Sequence, residues 1–202
     1  DCHSGYHVHG PESLRPVGET EFVLAEIAGK HSAACAGIVA WVDLMLGDAV
    51  AEVLQAHVEA GRGRFRGIRA RAAWHPHQDV HPAGLASPGM LLDPNLQRGV
   101  RRLGVMGLSL DVWAYHTQLT EVAALADACP DTSIVLDHCG GPLGVGPYKG
   151  RREEVFRAWE KDLRAVAHRS NVVVKLGGLA MPRTGLRLHE RERPAGSGEL
   201  AQ

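Results

Sequence analysis

The sequence predicts an α/β protein with a parallel sheet and helices outside it. Three observations carry the prediction. Short apolar runs alternate with longer amphipathic stretches. The helices follow the strands without hairpin signals. And the run Ser133-Ile134-Val135-Leu136 stops on Asp137-His138, then turns on Gly140, Gly141 and Pro142, which puts an imidazole at a strand tip, where parallel α/β proteins keep their chemistry.

Taken in order, Asp1 to Arg15 contains Gly5, Gly10 and Pro11, has no periodicity, and reads as loop. Thr20 to Lys30 reads as a helix with Glu19, Glu21 and Glu26 near its positive end. Cys35 to Val42 is a near-continuous apolar run, as a strand buried on both faces requires. Asp48 to Ala60 places Val50, Val53, Leu54, His57 and Val58 at helical spacing, with Gly61 just past the end. Phe65 to Arg71 is a strand, followed by a Pro-, Gly- and His-rich loop from Trp74 to Gly89. Asp93 caps a helix to about Val105, with Pro94 at its first position. Gly107 to Ala114 is a strand, Gln118 to Cys129 a helix and Thr132 to Asp137 a strand. Arg152 to Arg169 is a long helix, and Asn171 to Leu176 is the fifth strand. From Pro182 the chain is polar, with Pro, Gly and Arg, and is expected to be loose. Two architectures fit: an open doubly wound sheet, or part of an eight-fold barrel. No GxGxxG opens a helix after a strand, which weakens the dinucleotide-binding version.

The 202 residues suffice for one domain with a sizeable core, and the apolar share of 45% and charged share of 22% are those of a globular protein. A net charge of -1 gives no electrostatic case for nucleic acid or an anionic membrane. No apolar run reaches the roughly 18 residues a spanning helix needs, and no basic segment followed by an apolar stretch suggests a signal peptide. The four cysteines, Cys2, Cys35, Cys129 and Cys139, form no CxxC pair, so reduced thiols in a cytoplasm are the expectation. Several of the twelve histidines, His9, His75, His77 and His81, sit next to Pro or Gly, where solvated loops are expected.

Several residues could carry chemistry. His138 is a candidate metal ligand or proton carrier; the alternative is a histidine that only holds the following loop. Arg69 and Arg71 lie two apart in one strand and share a face. Near the strand's carboxyl end they could clamp a substrate carboxylate, or form a surface pair at a fraying end. Asp111, Trp113 and Tyr115 alternate onto one face with His116 at the tip, an aromatic wall suited to an organic ring or lactone; a core Trp with a capped Tyr is the other reading. Lys175, alone in an apolar strand, must pair or lose its charge, and a structural ion pair is expected. His7-Val8-His9 has the spacing of a metal pair, but no apolar strand precedes it, so it reads as a loop pair.

Phe65-Arg66-Gly67-Ile68-Arg69, Leu136-Asp137-His138-Cys139-Gly140-Gly141-Pro142 and Val173-Val174-Lys175-Leu176-Gly177-Gly178-Leu179 together resemble the amidohydrolase-related family, which includes 2-pyrone-4,6-dicarboxylate lactonase, other lactonases and some decarboxylases. The resemblance runs from about Tyr6 to Ala201. It implies a partial (β/α)8 TIM barrel of about five βα units, the third to the seventh strands of the family. By resemblance, His138 matches the strand-six histidine, a metal ligand or substrate contact. Arg69 matches the strand-four arginine that holds a substrate carboxylate. Tyr115 and His116 fall in the substrate-contacting strand-five region. The family's first strand with its HxH, and its last strand with a water-activating aspartate, have no counterpart here. The expectation is therefore a single domain, 1–202, truncated at both ends, with a loop at 1–16 and a loosely ordered tail at 183–202. Its open edges should invite self-association. The implied function is metal-assisted hydrolysis of a lactone or similar carboxylate-bearing ring, using zinc or manganese where a metal is used and no organic cofactor. The alternatives are a decarboxylase on the same barrel, or a non-catalytic remnant or binding domain.

Overall fold

A computed structural model describes residues 4–28, 35–81 and 84–200. Cys2, the first three residues of the expected N-terminal loop, the end of the expected 20–30 helix and Pro82 lie outside them.

Five parallel strands form one sheet: β1 (Ile38–Ala40), β2 (Phe65–Arg71), β3 (Ser109–Trp113), β4 (Ile134–Leu136) and β5 (Val172–Val174). Their spatial order is the chain order, each strand pairing with the next. A doubly wound sheet reverses direction at a switch point; a barrel wall does not. The order therefore decides between the two architectures: the sheet is part of a (β/α)8 barrel wall.

The helices are α1 (Val17–Val23), α2 (Val50–Gly61), α3 (Pro94–Val105), α4 (Leu119–Ala128), α5 (Arg152–Val166) and a last short turn, α6 (Ser197–Leu200). Asp93 caps α3 by accepting from the Asn95 N–H at 2.7 Å, with Pro94 at the first helical position. The first helix begins at Val17, three residues before the acid-based expectation, and continues through a π-helical stretch, Leu24–Ala28. β1 and β4 are shorter than their apolar runs, because run length reports burial and not hydrogen bonding. No helix among the described residues is long and apolar enough to cross a membrane.

Side-chain alternation divides the sheet into two unlike faces. On one, Ile68, Ala70, Leu110, Val112, Ile134 and Leu136 are buried against α2, α3 and α4. This is the core. The register aligns Arg69 with Asp111, and Arg71 with Trp113, on the opposite face. Val135 opposes both Asp111 and Val173, so Asp137 and Lys175 continue that same row. The barrel-interior face is thus charged where it nears the strands' carboxyl ends. Val173, 55% exposed on the last strand, and Leu176, 87% exposed beyond it, show that this end of the sheet is uncovered.

Candidate functional site

The site is built from the ends of β2, β3, β4 and β5. Asp137, fully buried, follows β4 and is its centre. Arg69 Nη2 lies 2.5 Å from Asp137 Oδ2, and Lys175 Nζ lies 2.8 Å from Asp137 Oδ1. Lys175 also reaches Asp111 Oδ2 at 2.6 Å. Two cations and two carboxylates therefore neutralise one another in a chain across four strands. Burial works against the ammonium of Lys175, but its hydrogen bonds and charge pairing with Asp111 and Asp137 outweigh it, and its pKa is raised. The pairing expected for Lys175 is present.

His138 leaves the strand in an unusual way. It has φ 53° and ψ 45°, and Cys139, Gly140 and Gly141 also have positive φ. Four successive left-handed residues turn the chain sharply, two of them at a steric cost only glycine escapes. The turn is held by Cys139 N–H donating to the Lys175 carbonyl at 3.1 Å and by His116 N–H donating to the Gly141 carbonyl at 3.1 Å. Gly178 makes room: a Cβ there would lie 2.6 Å from that of His138. So placed, His138 Nε2 meets Arg69 Nη2 at 3.1 Å, and its ring stands edge-on to Trp113 with centroids 4.8 Å apart. A guanidinium can only donate, so Nε2 accepts and the proton sits on Nδ1. Burial lowers the His138 pKa below the ordinary imidazole value. Asp137 opposes that, while Arg69, Lys175 and Arg183 reinforce it. The ring is a neutral base with its lone pair occupied.

Trp113 and Tyr115 continue the wall, edge to face at 5.8 Å. The Tyr115 hydroxyl donates to the His81 carbonyl at 2.5 Å and accepts from Arg183 Nη1 at 2.7 Å. The Arg183 guanidinium stands 5.3 Å from the Trp113 ring centre and 5.6 Å from that of Tyr115, within cation–π range of both. Arg183 follows the point where the polar tail begins. Its carbonyl accepts from Gly144 N–H at 2.9 Å, so this part of the segment is tied to the loop after β4.

Of the residues singled out from sequence, the structure brings Arg69, His138, Trp113 and Tyr115 together. Arg71 shares their face but turns its guanidinium toward Gly84 in the loop after β2 and interacts electrostatically with Tyr6. His116 is buried, its ring 5.0 Å from that of Tyr148, in a second aromatic group with His75, whose Nε2 lies 3.1 Å from the Tyr148 hydroxyl. Burial first, then the neighbouring His75, lowers the His116 pKa to about 4. His7 pairs with Glu21 at 2.8 Å on the surface, as a loop residue. Sequence reasoning missed Arg183, and it did not assign Asp111 and Asp137 to the site. A signal for Asp137 was present, since an acid at the end of an apolar strand needs a cation.

An apolar cavity of about 620 Å³ lies beside the Cys139 turn, lined among others by Leu143, Tyr148, Trp159 and Leu179. It offers no acid–base pair, and the candidate site is the charged hollow. Among the described residues no three His, Cys, Asp or Glu side chains converge to hold a metal. The imidazole of His138 points its Nε2 lone pair at a guanidinium. The donor set described here does not by itself fit a metal ion.

The sequence model of the amidohydrolase family matches residues 8–194. An uncharacterized protein of Sinorhizobium fredii is 33% identical over 85% of this chain and 53% of its own length. A protein of Burkholderia ambifaria named L-fucono-1,5-lactonase is 30% identical over 83% of this chain and 50% of its own. The chain thus spans about half the length of these relatives. Among solved structures, an amidohydrolase from Burkholderia multivorans with bound HEPES superposes with a TM-score of 0.63 at 28% identity, covering 91% of this chain and 56% of that one. A second crystal form of the Burkholderia multivorans amidohydrolase holds zinc, with a TM-score of 0.62 at 27% identity, over 91% of this chain and 55% of that one.

Proposed function

This chain belongs to the amidohydrolase family, and on that footing we propose that its charged hollow serves the hydrolysis of a lactone or a similar carboxylate-bearing ring. The observation that carries the reading is the contact of Arg69 with His138 at the ends of β2 and β4, beside the face of Trp113. It combines a fixed positive charge, a neutral imidazole and an aromatic wall in one place. The lactonase name of the Burkholderia ambifaria relative supports the same class.

In this reaction water adds to the ring carbonyl carbon, the ring C–O bond breaks, and the departing oxygen takes a proton to leave a hydroxy acid. Trp113 and Tyr115 flank the ring. Arg69 orients an oxygen of the substrate and supplies charge where an oxyanion develops. His138 accepts from Arg69 at Nε2 and so holds the guanidinium in place beside that oxygen. The zinc-bound relative supports divalent-metal use in this family, with His138 as the ligand this chain would offer. Among the described residues the donor set does not complete such a site.

The test is an assay of a protein carrying this sequence against L-fucono-1,5-lactone and a panel of carboxylate-bearing lactones, with proton release followed by pH indicator, with and without chelator. Acid release that is lost in His138→Ala supports the reading. Release of carbon dioxide from carboxylic acids without lactone opening replaces it with a decarboxylase. No turnover of either class leaves a binding domain.

A further inference from the structure

We propose that Arg183, and not Arg69, is the residue that receives the substrate's carboxylate. The proposal rests on the reading of the hollow as a site for a carboxylate-bearing ring and specifies how that ring is held.

Charge balance distinguishes the two guanidiniums. Arg69 is committed to Asp137 at 2.5 Å, and Lys175 to Asp111 at 2.6 Å and Asp137 at 2.8 Å. Those two cations already face two carboxylates of the protein. A substrate carboxylate on Arg69 would add a third negative charge to a network of two cations and two carboxylates that is already balanced. Arg183 stands outside that network. Among the described residues no carboxylate lies within ion-pairing distance of it, and its polar partner in the hollow is the Tyr115 hydroxyl, an uncharged acceptor. It is half-buried, not dissolved in bulk water, and it sits against the faces of Trp113 and Tyr115.

A guanidinium held by a hydroxyl and two aromatic rings keeps its remaining N–H donors in a fixed plane, the geometry that matches a carboxylate in two parallel hydrogen bonds. Trp113 touches both Arg183 and His138. A ring anchored through its carboxylate on Arg183 therefore has His138 as its neighbour along the same indole. Tyr115 is a positioning residue in this scheme. It holds the guanidinium through its hydroxyl and anchors that hydroxyl on the His81 carbonyl.

Isothermal titration calorimetry at low salt with benzene-1,3-dicarboxylate, which has no bond to hydrolyse, tests this on the full chain, with the neutral diamide as control. The wild type is expected to bind the dicarboxylate and not the diamide. Arg183→Gln should weaken binding about ten- to a hundredfold, the worth of a charge-assisted hydrogen bond, with an unchanged thermal midpoint. Arg183→Lys should keep part of the affinity, and Tyr115→Phe should weaken it less than Arg183→Gln. Dicarboxylate binding that survives Arg183→Gln but is lost in a folded Arg69→Gln variant would overturn the assignment and leave the carboxylate reading in place. A wild type that binds the diamide equally well, or neither compound, would overturn the carboxylate reading and the assignment with it.

Discussion

Arg69 Nη2 lies 3.1 Å from Nε2 of His138, although the two residues are separated by 69 positions in the chain. The contact fixes more than distance. It sets which ring nitrogen holds the proton, because the guanidinium has no lone pair to offer. Nitrogen-15 NMR of the imidazole should show protonated Nδ1 and bare Nε2 at neutral pH, and Arg69→Gln should mix the tautomers. A protonated Nε2 in the wild type would contradict the arrangement.

Asp137 holds two cations from a fully buried position. Asp137→Asn removes the charge both of them face and keeps the shape. Urea denaturation should show a loss of about 3 kcal/mol or more, as expected when one member of a buried ion network is neutralised. A loss below about 0.5 kcal/mol, the range of ordinary surface substitutions, would mean that the network contributes little to folding.

Gly178 has φ +73°, and a Cβ there would sit 2.6 Å from Cβ of His138. Gly178→Ala should cost about 1–3 kcal/mol through overpacking and backbone strain. It should also displace the imidazole, visible as a change in the His138 ring resonances. An alanine variant with wild-type stability and spectra would show that the turn has slack.

His57 is fully buried, stacked on Phe65 at 5.2 Å, with Nδ1 2.8 Å from the Thr20 hydroxyl. Burial lowers its pKa from 6.5 to about 4, although Glu19 pulls the other way. The unfolded chain therefore binds a proton at this residue before the folded one does. The stability this neutral histidine contributes is present above pH 6.5 and is lost as pH falls toward 4. Between those limits the loss is about 3 kcal/mol at 1.36 kcal/mol per unit. His57→Phe should flatten the acid limb of a stability-versus-pH curve; an unchanged limb would exclude His57 as its source.

The alternation of strands and helices is readable in the sequence because it rests on local signals, whereas the strand order is what decides for a barrel wall. The apolar runs, Asp93 with Pro94, and the Asp137-His138 tip before two glycines each announce themselves within a few residues. The meeting of Arg69 with His138 followed from both standing at the ends of parallel strands. What stayed hidden depended on partners far away in sequence. Asp111 falls in the alternating aromatic face, and nothing near it in sequence shows that Lys175, 64 residues on, will claim it. Arg183 lies in a stretch whose composition reads as loose, and only its contact with Tyr115 gives it a place. His116 shares a strand end with Trp113 but belongs to the group around Tyr148, since the residue after Tyr115 takes the other side of the chain from Trp113 and Tyr115.

The division of the sheet into an oily side and an ionic side makes the protein brittle toward one kind of change. In β2, Ile68 and Ala70 serve folding, while Arg69 serves the hollow. Adding one residue between Gly67 and Ile68 would swap these duties along the rest of the strand. Guanidiniums would be driven among the leucines of the helices, and isoleucine would meet the carboxylates. Point substitutions can injure the scaffold or the chemistry separately; a frame slip of a single peptide unit would wreck both at once.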